Sequence, residues 1–294
     1  MNEFDSRAEL TYTNKSNIWL ELIWRAKEIA VDKIDLSRFS LQGRTAIITG
    51  GSGGIGRACA VAFAKAGANM VIASLPPDSI PTVVDEVETL GVKSLGLAVD
   101  VCDDAQVKSM VEQTLAKFGR IDVLVNVAGG SYSRNPFMPA FNRAPLLELA
   151  PEDFMKAYEV NTKSAFLCAK AVAPAMKSAG KGSIINIGSI SGRGKKERAD
   201  MAAYGTAKAA VMNLTIHMAQ HWGPEIRVNA IAPGIIDTPR PAGTNRPETH
   251  ADALKRISLG RAGTADEVAS VALFLAADAA SYVSGAIIDV NGGE

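Results

Sequence analysis

The 294-residue chain balances 31 Lys plus Arg against 31 Asp plus Glu, and is 47% hydrophobic and 21% charged. That suits one large α/β domain with a sizeable core and leaves no basic surplus for a nucleic-acid or anionic-membrane footprint. No uncharged apolar run reaches the ~18–20 residues of a membrane span, and Glu3, Asp5, Arg7 and Glu9 precede no apolar core of a secretory signal.

Residues 1–40 form a distinct N-terminal extension. A polar arm leads into Ile18, Trp19, Leu22, Ile23, Ala26, Ile29 and Ala30, which recur at helical spacing with Glu21, Arg25, Lys27 and Glu28 off the stripe. This helix reads first as packing on its own domain, second as an oligomer contact and last as a lipid-facing element. From 41 to 294 the pattern is strand–helix alternation. Strands are predicted at 46–49, 69–73, 94–99, 121–126, 183–187, 227–231 and 286–290, and helices at 55–66, 81–90, 104–118, 151–178, 202–222 and 265–276. Continuous apolar strands alternating with helices imply a seven-stranded parallel sheet covered on both faces, in one doubly wound domain. Cys59, Cys102 and Cys168, odd in number and far apart, suit the core of a reduced protein rather than a disulfide frame or metal site. A cytoplasmic protein is expected.

The first strand runs into Thr49-Gly50-Gly51-Ser52-Gly53-Gly54-Ile55-Gly56, where a helix starts. Glycines there allow a tight turn and close approach of backbone to a pyrophosphate, and the helix N-terminus favours the anion. Gly50, Ser52, Gly54, Ile55 and Gly56 are therefore candidate coenzyme contacts. The segment also fits a G-x-S-x-G hydrolase elbow with Ser52 as nucleophile. That alternative needs an acid and a histidine, and His217, His221 and His250 are the only histidines. The first two fall on one helix face, where packing or surface roles suit them better.

Tyr204 and Lys208, four apart at the start of a predicted helix, share a face about one turn apart. A nearby ammonium favours a phenolate, so the pair could exchange a proton with a hydroxyl or carbonyl while hydride moves to or from a cofactor. The strand at 183–187 delivers Ser189 to the carboxyl edge of the sheet, where ligand sites form in open parallel sheets. Val123 to Gly129 ends there as well, and Asp100-Val101 converges on the same edge.

These motifs together resemble the classical short-chain dehydrogenase/reductase family over about residues 41–293. Thr49 to Gly56 matches its T-G-x-x-x-G-x-G, and Asn126-Val127-Ala128-Gly129 is similar to its N-N-A-G, with Val127 in place of the second Asn. Asn161, Ser189, Tyr204 and Lys208 fall at the four positions of its catalytic tetrad. Pro233-Gly234-Ile235-Ile236-Asp237-Thr238 resembles the segment that lies against nicotinamide, and Asn291-Gly292-Gly293 the usual ending. The stretch from Ser258 to Gly285 is similar to 3-oxoacyl-carrier-protein reductases. The resemblance implies an NAD(P)-dependent oxidoreductase interconverting a carbonyl compound and a secondary alcohol. Tyr204 would be the acid/base, Ser189 would hold the substrate oxygen, and Lys208 would bind the nicotinamide ribose. Asn161 would anchor a water linking Lys208 to solvent. Asp100 and Val101 would meet adenine, Asn126, Ala128 and Gly129 would pass beside ribose, and Pro233, Gly234, Ile236 and Thr238 would line the nicotinamide. A family-like binding or regulatory protein without turnover is the competing reading.

Departures sit at the coenzyme-specificity positions. NAD-type members of the family carry an acid where this chain has Ser74; NADP-type members carry a base where it has Leu75 or Gly53. Ser74 does not repel a 2′-phosphate, so NADP(H) is slightly favoured, with Arg57 the one nearby cation that could assist. Two stretches exceed the family minimum. Residues 130–149 would add an apolar wall with Tyr132, Phe137, Met138 and Phe141; residues 192–201 carry Arg193, Lys195, Lys196 and Arg198, read as a solvated loop before an acidic-substrate clamp. Apolar richness at 161–178 and 286–293, surfaces through which related enzymes pair, implies a homotetramer with two-fold axes.

Overall fold

Five-residue Thr45–Thr49 and six-residue Gly182–Ile187 are buried at every position, so neither face of these central strands meets water and apolar residues run without alternation. The computed structural model describes residues 35–131, 143–194, 199–238 and 254–294. The chain divides into two units, Met1–Arg38 and Phe39–Glu294. Nearly all of the first, including the predicted helix at 18–30, lies outside the described residues.

The second unit holds β1 (Thr45–Thr49), α1 (Gly54–Lys65), β2 (Asn69–Ser74), α2 (Ile80–Glu88), β3 (Ser94–Ala98), α3 (Asp104–Phe118), β4 (Val123–Asn126) and α4 (Pro151–Tyr158). After a π turn at Glu159–Lys163 come α5 (Ser164–Ser178), β5 (Gly182–Ile187), α6 (Ala202–Trp222), β6 (Ile226–Pro233), β7 (Ile236–Asp237), β8 (Gly263–Thr264), α7 (Ala265–Ala276) and β9 (Ile287–Val290). One seven-stranded sheet runs in the order β3-β2-β1-β4-β5-β6-β9, every neighbour parallel. The expected doubly wound fold is present. Alternate residues of each strand feed opposite layers. Ile48, Val125 and Ile185 pack with Phe63 of α1, Val83 of α2 and Val268 of α7. Ile47, Leu124 and Ile184 pack with Met110 of α3 and with Val172 and Met176 of α5. Strand order reverses between β1 and β4, so the crevice at their carboxyl ends is the topological switch point where ligands bind such sheets.

Two features depart from the expected elements. The predicted helix at 151–178 is broken by the π turn, whose extra residue is stabilised by side chains rather than by any periodicity. Ser164 Oγ donates to Val160 O at 2.6 Å, and Thr162 Oγ1 donates to Ala207 O on α6 at 3.0 Å. A short parallel ladder, β7 with β8, also forms beyond β6; two-residue strands are too brief to leave a period in the sequence.

Polar groups inside the second layer are paired in a chain. Asn126 Nδ2 donates to Asn186 Oδ1 at 2.9 Å and to Ala165 O at 3.3 Å, and Asn186 Nδ2 donates to Thr215 Oγ1 at 2.9 Å. Thr215 passes its own proton to Val211 O. This chain ties β4 to β5 and both to α6, directly below the carboxyl edge of the sheet. Thr215→Val should leave a buried Asn186 donor unpaired, costing about 1–3 kcal/mol, read as a lower urea midpoint with unchanged m-value; an unchanged midpoint would refute the network's role.

Candidate active site

The switch-point crevice is built around the glycine loop. Gly50 takes φ +64°, and a Cβ at Gly56 would stand 2.1 Å from Gly50 O. Only glycine lets this turn fold so tightly onto itself. Thr49 Oγ1, which the motif reading left without a role, accepts from Val127 N at 3.1 Å and Ala128 N at 3.3 Å. It thereby pins the chain leaving β4 against the loop leaving β1, and a Cβ at Gly50 would reach the Ala128 backbone at 3.1 Å. The result is a concave run of backbone with no side chain rising from Gly50, Gly53 or Gly54, which fits a pyrophosphate. Asn126 contributes its main chain at most: its amide is spent within the core, and its buried Oδ1 has no partner among the described residues.

The π turn supplies Asn161. Its Oδ1 accepts from Gly130 N and its Nδ2 donates to Gly130 O, both at 3.0 Å, while Nδ2 also reaches Ala157 O at 2.9 Å. The side chain therefore clamps the backbone beyond β4. The structure thus gives the Asn161 side chain a positioning task that the family resemblance did not name. Gly129 lies under the clamp at φ +142°; a Cβ there would sit 2.6 Å from Asn161 Oδ1 and 3.5 Å from Lys208 Nζ. Lys208, on α6, is buried and donates to Ile187 O at 2.7 Å, with Nζ 5.9 Å from the Tyr204 ring centroid. Burial pulls its pKa down to about 8. Ser189, two residues past Ile187, is nearly buried; its Oγ accepts from Ser191 N at 3.2 Å and donates to Ser191 Oγ at 3.1 Å. Asn161, Lys208 and Gly129 thus meet at one point on the edge of β4 and β5, with Tyr204 one helical turn from Lys208 and Ser189 at the end of β5.

At the other end of the crevice, Ser74 ends β2 as expected and is buried. Ser52 Oγ and Ser74 Oγ are 2.7 Å apart, and Ser79 Oγ donates to Ser52 Oγ at 2.8 Å. Arg57 does not serve this end. Its Nε and Nη2 grip the Glu86 carboxylate at 2.8 and 2.6 Å, out on the α1–α2 surface. Asp100 shapes its own turn by accepting from Cys102 N at 2.9 Å, and Val101 is buried beside it. Pro233 ends β6 and Gly234 N donates to Val290 O at 2.9 Å. Beyond them Ile236 enters β7, and the Thr238 methyl would stand 3.4 Å from a Cβ at Gly54. The segment leaving β6 and the glycine loop therefore face each other.

The remaining readings separate cleanly. Arg193 is exposed, as expected of a solvated loop, yet also anchored: Nε and Nη2 both reach Asp289 Oδ1, at 3.0 and 2.9 Å, docking this turn on β9. His217 and His221 stack with ring centroids 6.4 Å apart on the exposed face of α6, some ~20 Å along the helix from Tyr204, and Ser52 is bonded to serines. Among the described residues that geometry contains no elbow triad. All three cysteines are buried and unpaired, and burial pushes each thiol up to about 12, so they are packing residues. Among the described residues no helix is long and apolar enough to cross a membrane. Tyr132, Phe137, Met138, Phe141, Lys195, Lys196, Arg198 and His250 lie outside the described residues.

Two outcomes follow from the clamp and the buried amine. Asn161→Ala should free both backbone groups of Gly130 and cost about 1–3 kcal/mol of stability, measured by urea denaturation; full retention would refute the clamp. For Lys208, the unfolded amine keeps its proton up to about 10.5 whereas the folded one releases it near 8. Between those values the unfolded state binds more protons, so stability rises with pH. In the coenzyme-free protein, wild type should gain about 3 kcal/mol relative to Lys208→Met across that window, and a pH-independent difference would overturn the assignment.

Residues 50–294 match the family model described as Enoyl-(Acyl carrier protein) reductase. The chain is 37% identical to 7alpha-hydroxysteroid dehydrogenase of Escherichia coli strain K12 over 254 residues, covering 86% of this chain and 94% of that protein. It is 39% identical to a 3-oxoacyl-acyl-carrier-protein reductase of Thermotoga maritima over 256 residues, 86% of this chain and 98% of the relative. A solved 7alpha-hydroxysteroid dehydrogenase, complexed with NADH and 7-oxo glycochenodeoxycholic acid, superposes with a TM-score of 0.80 at 35% identity, covering 88% and 97% of the two chains. With the fold, the glycine cradle and these relatives in agreement, the chain belongs to the classical short-chain dehydrogenase/reductase family and is an NAD(P)-dependent oxidoreductase.

Proposed function

We propose that Tyr204 is the acid/base of a reaction interconverting a secondary alcohol and a ketone, with Ser189, Lys208 and Asn161 completing the site. The observation that carries this reading is the buried Lys208 ammonium, held by Ile187 O beside the Tyr204 ring. A cation there favours the phenolate over the neutral phenol. In the reducing direction the Tyr204 hydroxyl hands its proton to the carbonyl oxygen, which becomes the alcohol; oxidation returns the proton to Tyr204. Ser189 holds that oxygen from the end of β5. The nicotinamide coenzyme, when bound, supplies or takes up the hydride. Gly50, Ser52, Gly54, Ile55 and Gly56 would hold its pyrophosphate, and Lys208 its nicotinamide ribose. Ser74, Asp100 and Val101 would hold the adenosine, Asn126, Ala128 and Gly129 would lie along its length, and Pro233, Gly234, Ile236 and Thr238 would line the nicotinamide.

NADP(H) is the favoured coenzyme, because no carboxylate stands at Ser74 to repel a 2′-phosphate. The relatives named for hydroxysteroid, cyclohexanol and cis-4-hydroxycyclohexanecarboxylate oxidation support a ring-borne secondary alcohol as the first substrate class to test. We further propose a two-fold-symmetric homotetramer, for which Phe166 and Met155 exposed on α5 and α4 provide apolar surface. Residues 1–40 are assigned as an extension to the domain 41–294, and a cytoplasmic protein is favoured by its three unpaired cysteines.

The test is a panel of cyclic and acyclic ketones followed by absorbance loss of NADPH and NADH. Tyr204→Phe should leave coenzyme binding intact yet cut turnover ~10²–10⁴-fold, the loss typical of a general acid/base. Near-normal turnover in that variant would refute the mechanism.

A further inference from the structure

Three hydroxyls from separate elements meet at the adenosine end of the crevice. Ser52 comes from the glycine loop, Ser74 from the end of β2, and Ser79 from the residue before α2. The contacts form a chain: Ser79 Oγ to Ser52 Oγ at 2.8 Å, then Ser52 Oγ to Ser74 Oγ at 2.7 Å, with Pro76 O a second acceptor for Ser79 at 3.1 Å. Ser74 stands where dinucleotide-binding folds place the group that reads the ribose 2′ position, at the end of the second strand about twenty residues beyond the glycine loop. Among the described residues no charged side chain is hydrogen-bonded within this cluster, and the Arg57 fork is taken by Glu86.

We propose that Ser79 is a coenzyme-specificity residue, which together with Ser52 and Ser74 forms an uncharged site for the ribose 2′-phosphate. This inference rests on the coenzyme reading above and adds to it a residue that no motif position marks. A hydroxyl is both donor and acceptor and rotates to suit its partner. A ribose hydroxyl can be met by the chain running in either direction. A phosphate only accepts, so it needs a hydroxyl proton turned outward. Ser79 decides whether one is available. Its single proton goes either to Ser52 or to Pro76 O; when it goes to Ser52, the shorter contact, Ser52 can pass its own proton to Ser74, and Ser74 is left with a proton for an acceptor outside the chain. Without Ser79, Ser52 loses its incoming donor and nothing favours that direction. A carboxylate at 79 would instead set a negative charge at hydrogen-bond distance from Ser52, which repels phosphate and accepts from ribose hydroxyls.

The experiment titrates the full-length protein with 2′,5′-ADP and with 5′-AMP by calorimetry, and with NADPH and NADH by fluorescence, in wild type, Ser79→Ala, Ser79→Thr and Ser79→Asp. Loss of one charge-assisted hydrogen bond corresponds to roughly ten- to a hundredfold in affinity. Ser79→Ala should therefore weaken 2′,5′-ADP and NADPH by about tenfold or more, with 5′-AMP and NADH within about twofold. Ser79→Thr should restore the phosphate forms, and Ser79→Asp should reverse the preference. Unchanged ratios in folded Ser79→Ala and Ser79→Asp would overturn the assignment of Ser79 and leave the coenzyme site standing. A wild type that binds 5′-AMP but not 2′,5′-ADP would equally overturn the phosphate site alone. A wild type that binds none of the four nucleotides would overturn the coenzyme reading itself.

Discussion

Asn161 closes a ring of two hydrogen bonds with the main chain of Gly130, and the arrangement of the catalytic edge follows from that ring. A regular helix through 151–178 would rotate Asn161 away from β4. The π turn adds the residue that brings it back, and such turns recur at functional sites because they re-aim a single side chain without ending the helix. The third bond, to Ala157 O, satisfies a carbonyl next to the break, so the side chain that exploits the bulge also supports it. Gly129 must then be glycine, since a Cβ would strike the amide that holds its neighbour. Thr162, bonded to Ala207 O, carries the same constraint across to α6 one residue before Lys208.

Burial of Lys208 is the electrostatic counterpart of this geometry. An amine with one carbonyl partner and little access to water sits at an energetic disadvantage when charged, which is why its pKa falls to about 8. The fold tolerates that cost next to Tyr204. Removing a structural lysine of this kind would be expected to stabilise a protein at neutral pH; keeping it makes sense where an ammonium must act on a phenol and a ribose. The buried chain of Asn126, Asn186 and Thr215 lies beneath, so the floor under the site is polar and fully directional rather than fluid apolar packing.

The sheet was legible because its signals are local and redundant. Ala46 to Thr49 followed by a glycine cluster and a helical stretch needs no tertiary information to be read as a β-loop-α unit. The tetrad positions came from the family resemblance; spacing by itself said only that Tyr204 and Lys208 share a helix face. What could not be read were interactions between side chains and distant backbone. The π turn depends on Asn161 meeting Gly130, 31 residues away in sequence, and no periodicity encodes it. Arg57 and Arg193 illustrate the same limit from the charged side: each looked available in the chain, and each is taken by a carboxylate 29 and 96 residues distant. Ser79 stands in the short connection between β2 and α2, where neither motif nor periodicity says what the chain returns to.

Strand order explains why the two ends of the crevice can be tuned separately. The serine cluster hangs on β2, and the residues assigned to proton transfer hang on β5 and α6, with β1 and β4 between them. Three strand spacings separate β2 from β5, roughly 14 Å at 4.7–4.9 Å each. Across that gap the backbone of the glycine loop and of Val127–Gly129 carries no charge that would couple one end to the other. On the proposed reading, a substitution at Ser79 or Ser74 acts on coenzyme affinity without moving Lys208 or the Asn161 clamp, whereas one at Gly129 or Gly130 acts on both the clamp and the middle of the crevice. The proposed determinants of coenzyme preference therefore stand at the neutral end of the sheet, and the proposed proton-transfer residues at the end where burial makes a single charge matter.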